Sequence, residues 1–348
     1  MTGSRSVAIV SGKGGSGKTM IATEIGRIFA DVGSTILIDG DTATAGLSYF
    51  LVLKYVRNIQ RGYSTYALSD DPPPLTDLLL DLPAPHPWPW RFLPIGDHRR
   101  LALRFLGTES THLREFLGPV IARATDEAEY VVVDCRGGID DESVAVCAVV
   151  DDIILVVEAD ATSFQASSHV VDVLTAQGLA HKLRGFIINK AIEDPTAVAR
   201  NGPVTFGTQY LSAVPFDLEA SRAFLISELT DRYSIFAIHV REALSKAYPE
   251  LIRPSQARIW TREDYSDLNV LTPESARGGV LLGGAMATAG VTCAVGLATG
   301  TLPSTLPWLI GLIAVLTVIG IAGTIEPLRR IFGRMVRLLY RGFRRKGV

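Results

Sequence analysis

The stretch from Val7 to Met20, VAIVSGKGGSGKTM, constrains the fold more than any other part of the chain. Val7 to Val10 is a short apolar run suited to a strand buried on both faces, and a glycine-rich turn and a helix opening near Lys18 follow it. Gly12, Gly17, Lys18 and Thr19 stand at the G-x-x-x-x-G-K-[ST] spacing of a phosphate loop. The residue types follow from the chemistry. Gly14, Gly15 and Gly17 lack a Cβ and reach positive φ, so successive N–H groups can turn inward around an anion at the positive end of a helix dipole. Lys18 is then placed for β and γ phosphates and the Thr19 hydroxyl for Mg²⁺, with Ser16 and Met20 completing the nucleotide-binding loop.

Downstream, apolar strand-like runs alternate with segments of helical spacing. Ile21 to Val32 reads as a helix with Gly33 at its C-cap position, and Thr35 to Ile38 as a strand ending in Asp39-Gly40-Asp41. Tyr130 to Val133 is an apolar run that delivers Asp134, a Walker B pattern. Carboxylates at the carboxyl ends of parallel strands beside a phosphate loop are placed to act on Mg²⁺ or water, although acids at strand ends also cap turns. Further strands are expected at Ile153 to Glu158 and Gly185 to Ile188, and helices at about Thr111 to Thr125 and Ser167 to Ala176. Asp140 and Asp141 read as helix-start acids. Leu51 to Trp90, broken by Pro72-Pro73-Pro74 and the Pro83 to Trp90 run, reads as surface loops in which Trp88 and Trp90 pack locally or form a partner-binding tip. This alternation predicts a doubly wound, mostly parallel α/β sheet with right-handed crossovers.

Lys13 narrows the class. With it the loop reads K-G-G-S-G-K-T, which resembles the deviant phosphate loop of the ParA/MinD family of P-loop ATPases; the alternative is an ordinary solvated loop lysine. The segments ILIDGD, RFLPIG, YVVVD and Val214-Pro215-Phe216-Asp217 also resemble that family's motifs, in its order, across roughly Arg5 to Leu244. The resemblance implies bound ATP and Mg²⁺, and an ATP-bound homodimer in which Lys13 reaches the partner's nucleotide. It also implies water alignment by Asp41, and Thr19, Asp134 and Asp39 around Mg²⁺, with Asp39 alternatively serving the fold. Asn189 at the adenine and Pro215 and Phe216 lining the base complete the implied site, though an Asn at a strand end is also an ordinary turn former. Cys135-Arg136-Gly137-Gly138 departs from the D-x-P that commonly follows the Walker B acid in relatives.

The C-terminal fifth follows another logic. Gly278 to Leu302 and Pro303 to Ile325 contain no charged residue, enough for two bilayer spans at about 279–299 and 306–325 joined as a hairpin. Gly279/Gly283 and Gly296/Gly300 stand at G-x-x-x-G spacing. From Glu326 to Val348 seven arginines and Lys346 stand against one acid, so this end carries +7 and the remainder about −9 of a formal −2. Leu328, Ile331, Phe332, Met335, Leu338, Leu339 and Phe343 recur there at helical spacing, predicting a basic amphipathic helix on an anionic leaflet. The same charges orient the hairpin with both termini in the cytosol. Nucleic-acid binding by the tail fits less well, because apolar residues share the helix. The N-terminus runs directly into the first strand without an apolar leader.

The expected organisation is an ATPase domain over 1–247, a linker over 248–277, the hairpin over 278–325 and the tail over 326–348. The expected function is a slow ATPase switch on the inner membrane that positions or gates an assembly built around an unidentified protein partner. The alternatives are a regulator resembling the tyrosine autokinases of polysaccharide export and a nucleotide-binding scaffold without turnover. Three cysteines far apart, with no C-x-x-C, argue against a disulfide framework or a cysteine metal site.

Overall fold

The structure, a computed structural model, describes residues 4–52, 61–83, 86–105, 108, 110–192 and 194–256. The strands are β1 Arg5–Ser11, β2 Thr35–Asp39, β3 Leu80–Asp81, β4 Trp90–Leu93, β5 Tyr130–Gly137, β6 Asp152–Glu158, β7 Leu183–Ala191 and β8 Tyr210–Pro215. Between them run α1 Lys18–Phe29, α2 Gly46–Val52, α3 Tyr63–Ala67, α4 His98–Phe105, α5 Ser110–Glu127, α6 Asp141–Val149, α7 Ala161–Ala176, α8 Thr196–Phe206, α9 Leu218–Leu225 and α10 Ile235–Ala247.

The strands form one sheet in the order β3-β4-β2-β5-β1-β6-β7-β8, parallel except for the two-residue edge strand β3. The expected parallel α/β sheet is therefore present. Its central strands are apolar on both faces because helices cover both. Val7 and Ile9 share a core with Ile21, Ile25, Ile28 and Phe29 of α1 and Val240 and Leu244 of α10. Ala8 and Val10, the alternate residues of β1, are as completely buried, and α5, α6 and α7 also pack against β1. β1 pairs with β5 on one side and β6 on the other, so the chain leaving β1 and the chain leaving β5 diverge around one crevice at the carboxyl edge. Ligands of such sheets bind at that crevice.

Several boundaries differ from the sequence reading. α7 begins at Ala161 rather than Ser167, because the Asp160 carboxylate accepts the Ser163 N–H and caps it. α1 ends at Phe29, yet the Gly33 N–H still bonds the Phe29 carbonyl at 2.9 Å. The loop region holds α3 and β3, and Trp90 opens β4 fully buried while Trp88 stays exposed. Asp140 caps α6 through the Ser143 N–H, the helix-start role expected for it.

The core also runs past residue 247. Tyr248 is buried with its ring edge-on to Phe29 at 5.5 Å, the Arg5 and Arg184 guanidiniums lie 5.2 and 5.3 Å from its centroid, and Ile252 is buried beyond it. Among the described residues no helix is long and apolar enough to cross a membrane. The expected spans at 279–299 and 306–325, most of the linker and the tail over 326–348 lie outside the described residues.

Candidate nucleotide site

β5, β7 and α7 all reach the loop between β1 and α1. Gly15 and Gly17 hold φ of 81° and 82°, the left-handed region that favours glycine, and Gly17 is the N-cap of α1. A Cβ at Gly14 or Gly15 would meet nothing within 4 Å among the described residues, so the loop opens a backbone cradle at the α1 N-terminus. Its outer sides are packed hard. A Cβ at Gly12 would lie 2.3 Å from the Ala166 carbonyl carbon, and one at Gly137 would lie 2.6 Å from the Gly14 Cα.

That contact accounts for the departure after the Walker B acid. β5 continues to Gly137, paired with Ser11, and the Gly138 N–H, at φ 95°, donates to the Ser11 carbonyl at 3.0 Å. A glycine there lets the segment lie directly against the loop.

Lys18, Thr19 and Asp134 converge beneath the cradle. Lys18 is largely buried, and its charge and then the Thr19 hydroxyl act on Asp134 to favour its ionised form. The Asp134 Oδ1 is buried and makes no hydrogen bond among the described residues. An unpaired buried carboxylate oxygen beside a threonine hydroxyl and a lysine is a donor set suited to a hydrated Mg²⁺ at a phosphate. Burial pushes Asp134 up to about 6, against the opposing pull of Lys18 and Thr19. The Ser16 Oγ is likewise buried with no hydrogen-bond partner among the described residues.

Asp39 faces Asp134 across the β2–β5 register and is fully buried. Burial, then the Asp134 charge, pushes it up to about 7, although its oxygens accept the Ser48 N–H at 2.8 Å and the Asp41 N–H at 3.1 Å. Those bonds tie the start of α2 to the sheet, which is the fold-supporting alternative expected for Asp39. The Asp41 Oδ1 accepts the Ala43 and Thr44 N–H groups at 3.1 and 2.9 Å, and its Oδ2 accepts the Thr44 hydroxyl. The carboxylate expected to orient water is here closed into a local turn. The next residue, Thr42, donates its hydroxyl to Glu142 of α6.

Asn189, at the end of β7, donates from Nδ2 to the Ser16 carbonyl at 2.8 Å, and its amide occupies the space a Cβ at Gly17 would need. The expected adenine residue thus braces the loop in this structure. Pro215 ends β8 buried, and the half-exposed Phe216 is tied by its N–H to the Ala191 carbonyl at 3.0 Å. Met20 is partly buried against the core.

Lys13 is engaged with its own chain. Its Nζ lies 2.7 Å from the Glu158 Oε2 and 2.9 Å from the Asp160 Oδ2. Hydrogen bonding to Glu158, then to Asp160, holds the ammonium pKa above its usual value. Burial alone would raise Asp160, but the Thr162 hydroxyl, Lys13 and the Ser163 N–H hold it well below the usual carboxylate range. Lys190 reaches the same group, with Nζ 3.1 Å from the Glu158 Oε1 and bonded to the Gly15 carbonyl, from a backbone at φ 53°. Glu158, Asp160 and Lys190 were not expected from sequence. Glu158 ends a parallel strand, the criterion that identified Asp39 and Asp134, and it could have been found that way.

Comparisons with known proteins agree with this geometry. A profile described as the CobQ/CobB/MinD/ParA nucleotide binding domain matches residues 7–227. No curated protein matches the chain. Among solved structures, the septum site-determining protein MinD from Pyrococcus horikoshii, complexed with Mg-ADP, is 20% identical, covering 70% of this chain and 95% of its own with a TM-score of 0.56. The ATP complex of a Cyanothece McdA variant is 16% identical over 74% of this chain and 100% of its own, with a TM-score of 0.60. The MinC:MinD cell division protein complex from Aquifex aeolicus is 16% identical over 73% and 100%, with a TM-score of 0.56. At these identities the likeness is one of fold.

Proposed function

The chain belongs to the CobQ/CobB/MinD/ParA nucleotide-binding family, and from that premise we propose that it is a membrane-anchored ATPase switch. The supporting observation is the convergence of Lys18, Thr19 and the unpaired Asp134 oxygen under an open glycine cradle. ATP binds with its phosphates in the cradle, held by the loop N–H groups and Lys18. Thr19 and Asp134 hold Mg²⁺, which when bound offsets phosphate charge. Two copies pair face to face, and Lys13 of each reaches the other's phosphates, where its charge stabilises the transferring γ-phosphoryl group. Asp41, released from its Thr44 turn, orients the attacking water. Loss of the γ-phosphate then reopens the pair, and a partner protein reads the difference.

Membrane anchoring rests on the uncharged stretches over 278–325 and the basic tail over 326–348, which fit a two-span hairpin in the inner membrane with the ATPase domain and both termini in the cytoplasm. The MinD of the MinC:MinD complex is bound to a protein partner, and a protein partner of this chain fits the same logic.

The closed Asp41 turn favours a second reading, a nucleotide-operated scaffold without turnover. Phosphate release in lipid decides between them. The switch predicts slow release lost in Lys18→Ala and Asp41→Ala; absence of release from the natural chain, with nucleotide still bound, selects the scaffold.

A further inference from the structure

We propose that Glu158, with Asp160 beside it, is a positioning acid that holds Lys13 on its own chain and so sets the nucleotide concentration at which two copies pair. The inference rests on the reading that Lys13 acts across a dimer. A lysine that must reach another subunit cannot at the same time lie 2.7 and 2.9 Å from two carboxylates of its own. Pairing therefore exchanges these contacts for the partner's phosphates, and whatever the acids contribute to holding Lys13 is subtracted from the affinity of pairing.

The surroundings are arranged for that exchange. Glu158 divides its oxygens, Oε2 toward Lys13 and Oε1 toward Lys190 at 3.1 Å. When Lys13 leaves, Lys190 remains, so the departure breaks a contact without stranding a bare carboxylate. Lys190 is fixed for this duty by its bond to the Gly15 carbonyl and by the left-handed backbone, φ 53°, that brings both Asn189 and Lys190 onto the loop. Asp160 is fixed as the N-cap of α7 and presents its other oxygen, Oδ2, to Lys13. The lysine side chain is about one-third exposed, so its grip is weak enough to be reversible.

The test is sedimentation of the full chain in detergent against increasing concentrations of the non-hydrolysable β,γ-imido ATP analogue with Mg²⁺, each midpoint corrected for that variant's own nucleotide affinity. Glu158→Gln keeps the side chain's size, and Asp160→Asn keeps the helix cap. Either is expected to lower the pairing midpoint about two- to fivefold, the range for a partly exposed ion pair. In the nucleotide-free chain, acylation of Lys13 read by mass spectrometry is expected to be faster in Glu158→Gln, because the ammonium loses a partner that retains its proton. A midpoint that is unchanged or raised in both variants overturns the inference. If the natural chain and Lys13→Ala behave as the trans reading requires while Glu158→Gln and Asp160→Asn do not move the midpoint, only this inference falls. A natural chain that never pairs, or a Lys13→Ala chain that pairs as well as the natural one, overturns the trans reading and this inference with it.

Discussion

Asp134 and Asp39 lie side by side in the register of β5 and β2; burial raises both, and the Asp134 charge raises Asp39 further. Unfolded, each titrates near the usual carboxylate value of about 4. Folded and metal-free, Asp134 is pushed up to about 6 and Asp39 up to about 7. The folded state thus holds more protons between those values, so the contribution of this pair to stability in a chelator is fully present below about pH 4 and is lost as pH rises through about 7. Asp134→Asn removes the buried charge and is predicted to raise metal-free stability at pH 8 by about 1–3 kcal/mol, while Mg²⁺ no longer tightens nucleotide binding. Thermal melts with and without Mg²⁺ check both halves, and an Asp134→Asn chain that melts lower than the natural one at pH 8 contradicts the charge argument. Lys18, Thr19 and Asp134 were legible in the sequence because phosphate and metal chemistry restricts residue type at fixed spacing. Glu158 and Lys190 stand at no such spacing: Glu158 could be picked out only as a strand-end acid, and Lys190 only once β7 brings it to the loop.

The same distinction separates the elements. The buried parallel strands announced themselves by apolar runs, whereas β3, only two residues long, and α3, five, carry no period to detect. The turn after Asp134 was readable only as a departure, and its reason is a contact between elements. Gly137→Ala would set a Cβ 2.6 Å from the Gly14 Cα, where backbone must move, and is predicted to destabilise the protein by about 1–3 kcal/mol and weaken nucleotide binding. Gly14→Ala meets no described atom within 4 Å, so its melting temperature should stay near that of the natural chain. Comparing the two by denaturant unfolding checks the claim, and equal losses of stability would contradict the packing of β5 on the loop.

At the scale of the whole molecule, the sequence placed the end of the nucleotide domain at residue 247, because polar and proline-broken residues follow. The structure carries the core on to Ile252 through Tyr248, held between Phe29 and two arginines. Tyr248→Ala is therefore predicted to cost about 3–5 kcal/mol, checked by urea unfolding of the full chain in detergent. The hairpin over 278–325 is proposed from composition alone, and protection of that stretch from protease in vesicles tests it. The central claim is that two copies pair on ATP and each lends a lysine to the other. Association of the full chain in detergent, measured with ATP and with ADP for the natural protein and for Lys13→Ala, tests it most directly. The account predicts pairing with ATP alone, lost in Lys13→Ala while each monomer still binds nucleotide. Equal association of the natural and Lys13→Ala chains, or association indifferent to the nucleotide, would contradict it.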